Sequence, residues 1–170
     1  TYELQSVQVT STRANRTTPM AFQNINKQQL KAINHGKDIP FLLSLTPSVI
    51  TTSDAGNGIG YTSLRVRGTD PSRINITSNG IPMNDAESSQ VFWVNMGDFA
   101  SSISSMQIQR GVGTSTNGSS AFGATVNMET EQIGINPFLS VDLSAGSYAS
   151  HKETLRFGTG LLGGHWSIQG

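Results

Sequence analysis

The sequence predicts an α+β fold over residues 1–131, a small mixed sheet of about four strands with short helices, and antiparallel strands of another kind over 132–170. Three observations carry this. Two short segments, 26–34 and 38–45, have helix starts and stops at helical spacing. Short runs that alternate apolar and polar residues flank a glycine-rich block at 103–128. After Glu131 the alternation becomes longer and cleaner, close to ten residues per strand.

The composition agrees. Of 170 residues, 35% are hydrophobic and 13% charged, and 18 are glycine, which reads as strands and turns rather than a disordered chain. Eleven basic and eleven acidic residues cancel, and no basic stripe speaks for nucleic acid. With no cysteine, disulfides and thiolate metal sites are excluded. The apolar runs fall far short of the ~20 residues of a membrane helix. Position 1 is threonine and no signal peptide is visible, so the chain is expected to be processed or trimmed from something longer.

Taken in order, Leu4-Gln-Ser-Val-Gln-Val-Thr10 alternates as a strand or extended arm would. In 26–34, Asn26 can cap a helix, Leu30 and Ile33 share a face, and Gly36 stops it. In 38–45, Asp38 is the expected cap and Pro40 fits the first turn, with Thr46-Pro47 closing the helix. Residues 52–61 form a turn-rich loop and 63–68 a strand. Arg73–Pro82 holds a strand, a tight Asn79-Gly80 turn and a second short strand. A polar loop leads to Val91-Phe-Trp-Val94, read as strand, and 95–102 as a short helical turn. In the block at 103–128, Met106 and Ile108 face one way and Ser105, Gln107 and Gln109 the other, before a second strand at 124–128. Beyond Glu131, Leu139, Val141, Leu143 and Ala145 alternate with Ser140, Asp142 and Ser144, then Leu155, Phe157 and Leu161 with Thr154, Arg156, Gly158 and Gly160. Residues 165–170 start a third strand with Trp166 and Ile168 outward. Small polar residues on one face and apolar ones on the other match a transmembrane barrel wall; a soluble β-sandwich is the alternative.

Catalytic patterns are missing. His35, His151 and His165 are isolated, with no ligand-spaced partner. Gly111-Val-Gly-Thr-Ser-Thr mimics a dinucleotide loop but lacks the third glycine and the helix after it. Asp85 and Glu87 are too few for a dedicated calcium site. No enzyme activity and no cofactor are expected.

The ordered motifs resemble a known family. Ser105-Met-Gln-Ile-Gln-Arg-Gly111 and Ala121-Phe-Gly-Ala-Thr-Val-Asn-Met128 resemble the Ile-Glu-Arg-Ile-Glu-Val-Leu-Arg-Gly-Pro…Tyr-Gly…Gly-Gly-Val-Ile-Asn-Ile block of TonB-dependent outer-membrane receptors. Val112 stands for the usual proline, Phe122 for tyrosine, and Ala124-Thr125 for a glycine pair. Leu45-Thr-Pro-Ser-Val49, the strand ending Arg67-Gly68, and Asn79-Gly-Ile-Pro82 resemble the family's Leu-x-x-x-Pro-Gly-Val, Ile-x-Ile-Arg-Gly and Asp-Gly-Val-Pro. Ser6-Val-Gln-Val-Thr10 and Ser11-Thr-Arg13 resemble the start of receptor plugs.

The resemblance implies a plug domain at 1–131 and, at 132–170, the first strands of a barrel whose further strands lie beyond residue 170. It implies Gram-negative outer-membrane uptake of a scarce, bulky nutrient, with the plug gating the pore. TonB and its inner-membrane complex would be partners, grasping an arm at Ser6, Val7, Gln8, Val9 and Thr10 by strand addition. Arg67 and Arg110 would face glutamates on the barrel wall. Three loops, 53–61, 69–73 and 84–93, would meet on the outer apex and bind a small molecule or metal chelate through Asn57, Tyr61, Asp70, Arg73, Asn84, Asp85, Gln90, Phe92 and Trp93. Neighbours on a strand point to opposite faces, so only one of Phe92 and Trp93 is expected to reach the ligand, and Trp93 is taken as that one. The glycan-importing branch carries Leu-Lys-Asp-Ala where this chain has Gln109-Arg-Gly-Val112, which favours a ferric siderophore, haem or cobalamin over a glycan. The rival from another class is a secreted β-rich adhesin or sugar-binding module.

Overall fold

The structure, a computed structural model, describes residues 13–112 and 121–170. It divides into two compact units, Thr1–Thr130 and Glu131–Gly170.

In the first unit the described elements begin with β1 (Ala21–Asn26) and α1 (Lys27–Ile33). Asn26 starts the helix with a reciprocal cap. Its Oδ1 accepts from the Gln29 N–H at 2.9 Å, and Gln29 Oε1 accepts from the Asn26 N–H at 3.0 Å. Leu30 turns inward, and Gly36, at φ 81°, carries the chain away. The second helix, α2 (Ile39–Leu42), is shorter than the expected 38–45. Asp38 holds the cap position but makes no cap bond; its carboxylate is committed to the loop before residue 62 instead.

The chain then forms β2 (Val49–Ser53) and β3 (Thr62–Val66), an antiparallel pair with Thr52 opposite Ser63. It continues through β4 (Ile74–Ser78), β5 (Ile81–Pro82), β6 (Ile103–Arg110) and β7 (Ala124–Thr130). Asn79 and Gly80, at φ 50° and 80°, supply the positive angles of a tight hairpin turn. The five-stranded sheet runs β1-β6-β7-β4-β5. It is mixed: β4 lies parallel to β7, and the other pairs are antiparallel.

One face of this sheet makes the core. Ile25, Ile74, Ile76, Met106, Ile108, Val126 and Met128 cluster with Leu30, Leu42, Leu43, Leu64, Val66 and Trp93. Burying a side chain of this size stabilises the fold by roughly 1.5–3 kcal/mol each. The other face is polar yet also buried: Gln107, Gln109, Thr125, Asn127, Asn75 and Thr77 are all 3% exposed or less. The buried amides are tied together. Gln109 Nε2 donates to Gln107 Oε1 at 2.8 Å, and Thr77 Oγ1 to Asn127 Oδ1 at 2.7 Å. Gln107 also holds the backbone of Ala14, accepting from its N–H at 2.7 Å and donating to its carbonyl at 2.9 Å. Beside it the Arg13 guanidinium donates to the Ser105 and Asn127 carbonyls and pairs with Glu129 at 3.3 Å. Burial lowers the Arg13 pKa, and the Glu129 carboxylate opposes that shift.

Two further readings are corrected. Residues 91–94 are not a strand; a 3₁₀ turn spans Trp93–Asn95, and a second spans Phe99–Ser102. Residues 165–170 form no strand, only bridges at Gly158–Gln169 and Leu162–Trp166.

In the second unit, β8 (Phe138–Ala145) pairs antiparallel with β9 (His151–Gly158). The register sets Leu139 opposite Phe157 and Val141 opposite Leu155. These four and Leu143 are exposed, forming one apolar stripe. Ser140, Asp142, Thr154 and Arg156 are partly buried on the other face, where Arg156 bonds Glu131.

Candidate functional site

The first unit contains a cavity of about 210 Å³ whose walls include Thr52, Asp54, Tyr61, Ser63, Pro71, Gln90, Phe92 and Trp93. Each of the three loops expected at the apex therefore contributes to one space. The local sequence explains how each loop is held.

In the first loop, Gly56, Gly58 and Gly60 take φ between 74° and 94°, angles that suit glycine. The buried Asp38 carboxylate accepts from the Gly60 N–H at 2.9 Å and from Thr62 Oγ1 at 2.7 Å, fastening the loop to the start of α2. Asn57 Oδ1 accepts from the Ile59 N–H at 3.0 Å, a turn within its own loop. In the second loop, Asp70 Oδ1 accepts from the N–H and hydroxyl of Ser72 and opens the 3₁₀ turn Pro71–Arg73. Those bonds hold the Asp70 pKa below the ordinary carboxylate value, with Arg65 and Arg73 adding to the effect. In the third loop, Asp85 Oδ1 accepts from the Ser88 N–H at 2.7 Å, the Ser88 hydroxyl at 2.9 Å and the Glu87 N–H at 3.1 Å. Its pKa is lowered chiefly by Ser88.

Asn84 anchors that third loop to the sheet. Its Oδ1 accepts from the Ile76 N–H at 2.9 Å, and its Nδ2 donates to the carbonyls of Ile74 at 2.9 Å and Ser89 at 2.8 Å. Both amide hydrogens face the backbone, so the Asn84 side chain is engaged by its own loop and the edge of β4.

The aromatic pair is reversed from the expectation. Trp93 is 4% exposed and packs in the core, while Phe92 is 49% exposed. The 3₁₀ turn that starts at Trp93 sends the larger ring inward, where its buried area stabilises most. Of the nine expected ligand residues, Tyr61, Gln90, Phe92 and Trp93 line the cavity; Asn57, Asp70, Arg73, Asn84 and Asp85 do not. Sequence reasoning missed Thr52, Asp54 and Ser63. Pairing β2 with β3 as a hairpin would have found Thr52 and Ser63, because that register sets them opposite each other.

The two arginines meet near one turn. The Arg67 N–H donates to the Ser48 carbonyl at 2.8 Å, with Arg67 itself at φ 52°. Arg110 Nη1 donates to the Pro47 carbonyl at 3.2 Å, and its Nε is buried without a partner. Among the described residues neither forms an ion pair with a carboxylate. The expected arm, Ser6–Thr10, lies outside the described residues. Among the described residues no group of three or more His, Cys, Asp or Glu could hold a metal ion, and no helix is long and apolar enough to cross a membrane.

Comparison with known proteins gives the family. The model of the TonB-dependent receptor plug domain matches residues 14–125, well over half the chain. No curated protein matches. Among solved structures, the ferric yersiniabactin uptake receptor FyuA from Yersinia pestis is similar at TM-score 0.63 and 14% identity, over 84% of this chain and 22% of that one. The ferric-catecholate import receptor Fiu from E. coli K12 is similar at TM-score 0.63 and 20% identity, over 85% and 19%. The siderophore receptor PirA from Acinetobacter baumannii is similar at TM-score 0.57 and 24% identity, over 81% and 21%. The chain thus spans about a fifth of these receptors, and at such identities the likeness concerns the fold. The ordered motifs, the mixed sheet with few helices and the family match agree: the chain belongs to the TonB-dependent receptor plug domain family, a family of receptors in the Gram-negative outer membrane and not of enzymes.

Proposed function

We propose that this chain is the plug, residues 1–131, and the first barrel strands, 132–170, of a receptor for TonB-dependent active uptake of a ferric siderophore, haem or cobalamin. The plug gates the pore and no covalent chemistry is needed. The cavity carries the reading: in a plug-family domain, aromatic rings and polar side chains of the first and third loops, with Pro71 of the second, converge on one space. At about 210 Å³ it holds only part of a bulky ligand, so barrel loops supply the rest of the site.

Other observations support the parts. The exposed stripe of Leu139, Val141, Leu143, Leu155 and Phe157 against a polar face suits a strand pair with lipid on one side. A guanidinium's planar donor fork suits Arg67 and Arg110 to carboxylates on a barrel wall. The alternating Ser6–Thr10 segment suits addition to a partner's sheet edge, with main-chain hydrogen bonds providing affinity.

The test is growth of a receptor-deleted strain carrying the full-length receptor, wild type or Val7→Pro, on a panel of iron chelates, haem, cobalamin and glycans. Proline removes a pairing donor from the arm. Wild type should restore growth on one iron or cobalamin source, and Val7→Pro should bind that source yet fail to take it up. Restored growth on a glycan alone would overturn the ligand reading. Normal uptake by Val7→Pro would move the TonB contact away from residues 6–10.

A further inference from the structure

We infer that the cavity is a charge filter: it takes neutral or cationic guests and turns away polyanionic chelates, and Asp54 is the residue that meets the guest. This rests on the uptake reading for its ligand and narrows it. Among the candidate nutrients it favours uncharged chelates and cobalamin over haem, with its two carboxylates, and over triply charged catecholate complexes.

Among the described residues Asp54 is the one charged residue that lines the cavity; the others are hydroxyl, amide, aromatic or aliphatic. Among the described residues the Asp54 carboxylate makes no hydrogen bond and no ion pair that would neutralise it. A guest in this space therefore meets the Asp54 carboxylate with no cationic side chain beside it among the lining residues.

The rim repeats the sign. Arg65, which acts on Asp70, and Lys37, whose stem lies against Gly58, stand beside the site; the loops 53–61, 69–73 and 84–93 themselves carry four acids, Asp54, Asp70, Asp85 and Glu87, against one base, Arg73. All five side chains are exposed. Asp70 and Asp85 are held ionised by hydrogen bonds from Ser72 and Ser88, with their pKa values lowered. Arg65 lies one alternation beyond Ser63 on β3, it and Arg73 act on Asp70, and none of these three lines the cavity, nor do Asp85 and Glu87. Clustered charges of one sign around a concave, partly apolar site raise the local concentration of opposite charge and lower that of like charge. A polyanionic chelate would have to shed water beside Asp54 without gaining a counter-charge, which is costly.

The filter is tested without knowing the nutrient. The chain has no cysteine, so a nitroxide at Ile59→Cys, an exposed position on the first loop, reports on this site once any cysteine elsewhere in the full-length receptor is replaced. Its collision rates with tris(ethylenediamine)nickel(II), a dication, and tris(oxalato)chromate(III), a trianion of chelate size, are compared by power-saturation spectroscopy. The control is the same label at Tyr148→Cys, fully exposed in the second unit. At low salt the cation-to-anion ratio at residue 59 should exceed the control by about three-fold or more and shrink toward it in high salt, as screening requires. Asp54→Asn should reduce the excess and Asp54→Lys should reverse it. A ratio at residue 59 equal to the control, or one indifferent to both Asp54 variants, overturns the filter. Uptake of a triply anionic chelate in the growth assay would overturn it too, with uptake itself upheld. Loss of all uptake with the ratio intact would sink the uptake reading and leave the charge preference standing.

Discussion

Replacing Asn84 by alanine separates a structural role from a ligand role, and the geometry sets the size of the effect. β5 pairs with β4 only at Thr77 and Ser78, so among the described residues no strand lies along the outer edge of β4 beside residues 74–76. The Asn84 side chain stands in for one there, bonding the Ile76 N–H and the Ile74 carbonyl, with a third bond to Ser89. Alanine removes all three. At about 1 kcal/mol net per hydrogen bond the loss is about 3 kcal/mol, and more where a stranded group stays buried. A local opening made about 3 kcal/mol easier exchanges its amides on the order of a hundred times faster. Hydrogen exchange by mass spectrometry on the full-length receptor reads this in peptides covering 74–78. Asn84→Asp is the second variant. It keeps an acceptor for Ile76 but turns carboxylate oxygen toward two carbonyls, so exchange should be at least as fast as in the alanine variant. Unchanged exchange at 74–78 together with lost ligand binding would refute this account and return Asn84 to the ligand.

Other outcomes follow from the same contacts. Trp93→Ala empties a core position and should cost about 3–5 kcal/mol of plug stability, whereas Phe92→Ala should leave stability within about 1 kcal/mol and weaken ligand binding; comparing unfolding with equilibrium binding separates them. Gly123→Ala would set a Cβ 2.2 Å from Thr69 Oγ1 and 2.7 Å from Thr69 Cβ, so it should destabilise by about 1–3 kcal/mol and be rescued by Thr69→Gly in thermal unfolding. Asp70 and Asp85 have folded pKa values below the ordinary 3.8, so their turn bonds contribute fully above that value and are lost as pH falls through the folded ones; exchange in 70–73 and 85–90 should rise only in that acid range. Arg110→Ala should loosen the plug in its barrel and raise entry of small antibiotics, and unchanged permeability would make Arg110 a purely local contact.

Much of this fold was legible because some signals are local. The Asn26 and Gln29 cap, the Asn79-Gly80 turn and the Met106 and Ile108 alternation each depend on neighbours within a few residues. What was not legible depends on distant ones. β1 carries only Phe22 and Ile25 as large apolar residues, with no clear period, and becomes a strand because β6 offers an edge. The polar side of β6 reads as a wet face, yet Gln107 and Gln109 are buried in an amide network that no period reveals. Val91-Phe-Trp-Val94 has strand composition, but Trp93 joins the core from a 3₁₀ turn instead. In the candidate site, the aromatic residues were found because they are conspicuous. Asn84, Asp70 and Asp85 looked like ligand groups, but their side chains bond their own loops and the β4 edge.

The way Gln107 holds Ala14 has a consequence for how the plug comes apart. No strand pairs with Ala14 through Gln107; a side-chain amide offers it one acceptor and one donor. If residues 13 and 14 lift away, the Arg13 contacts to Ser105, Asn127 and Glu129 break as well, and water can occupy the freed positions on the Gln107 amide and the Ala14 peptide. The ladder bonds between β6 and β7 stay whole. The segment can therefore leave and return as a buttoned flap does, opening at its fastening while the cloth beneath stays uncut.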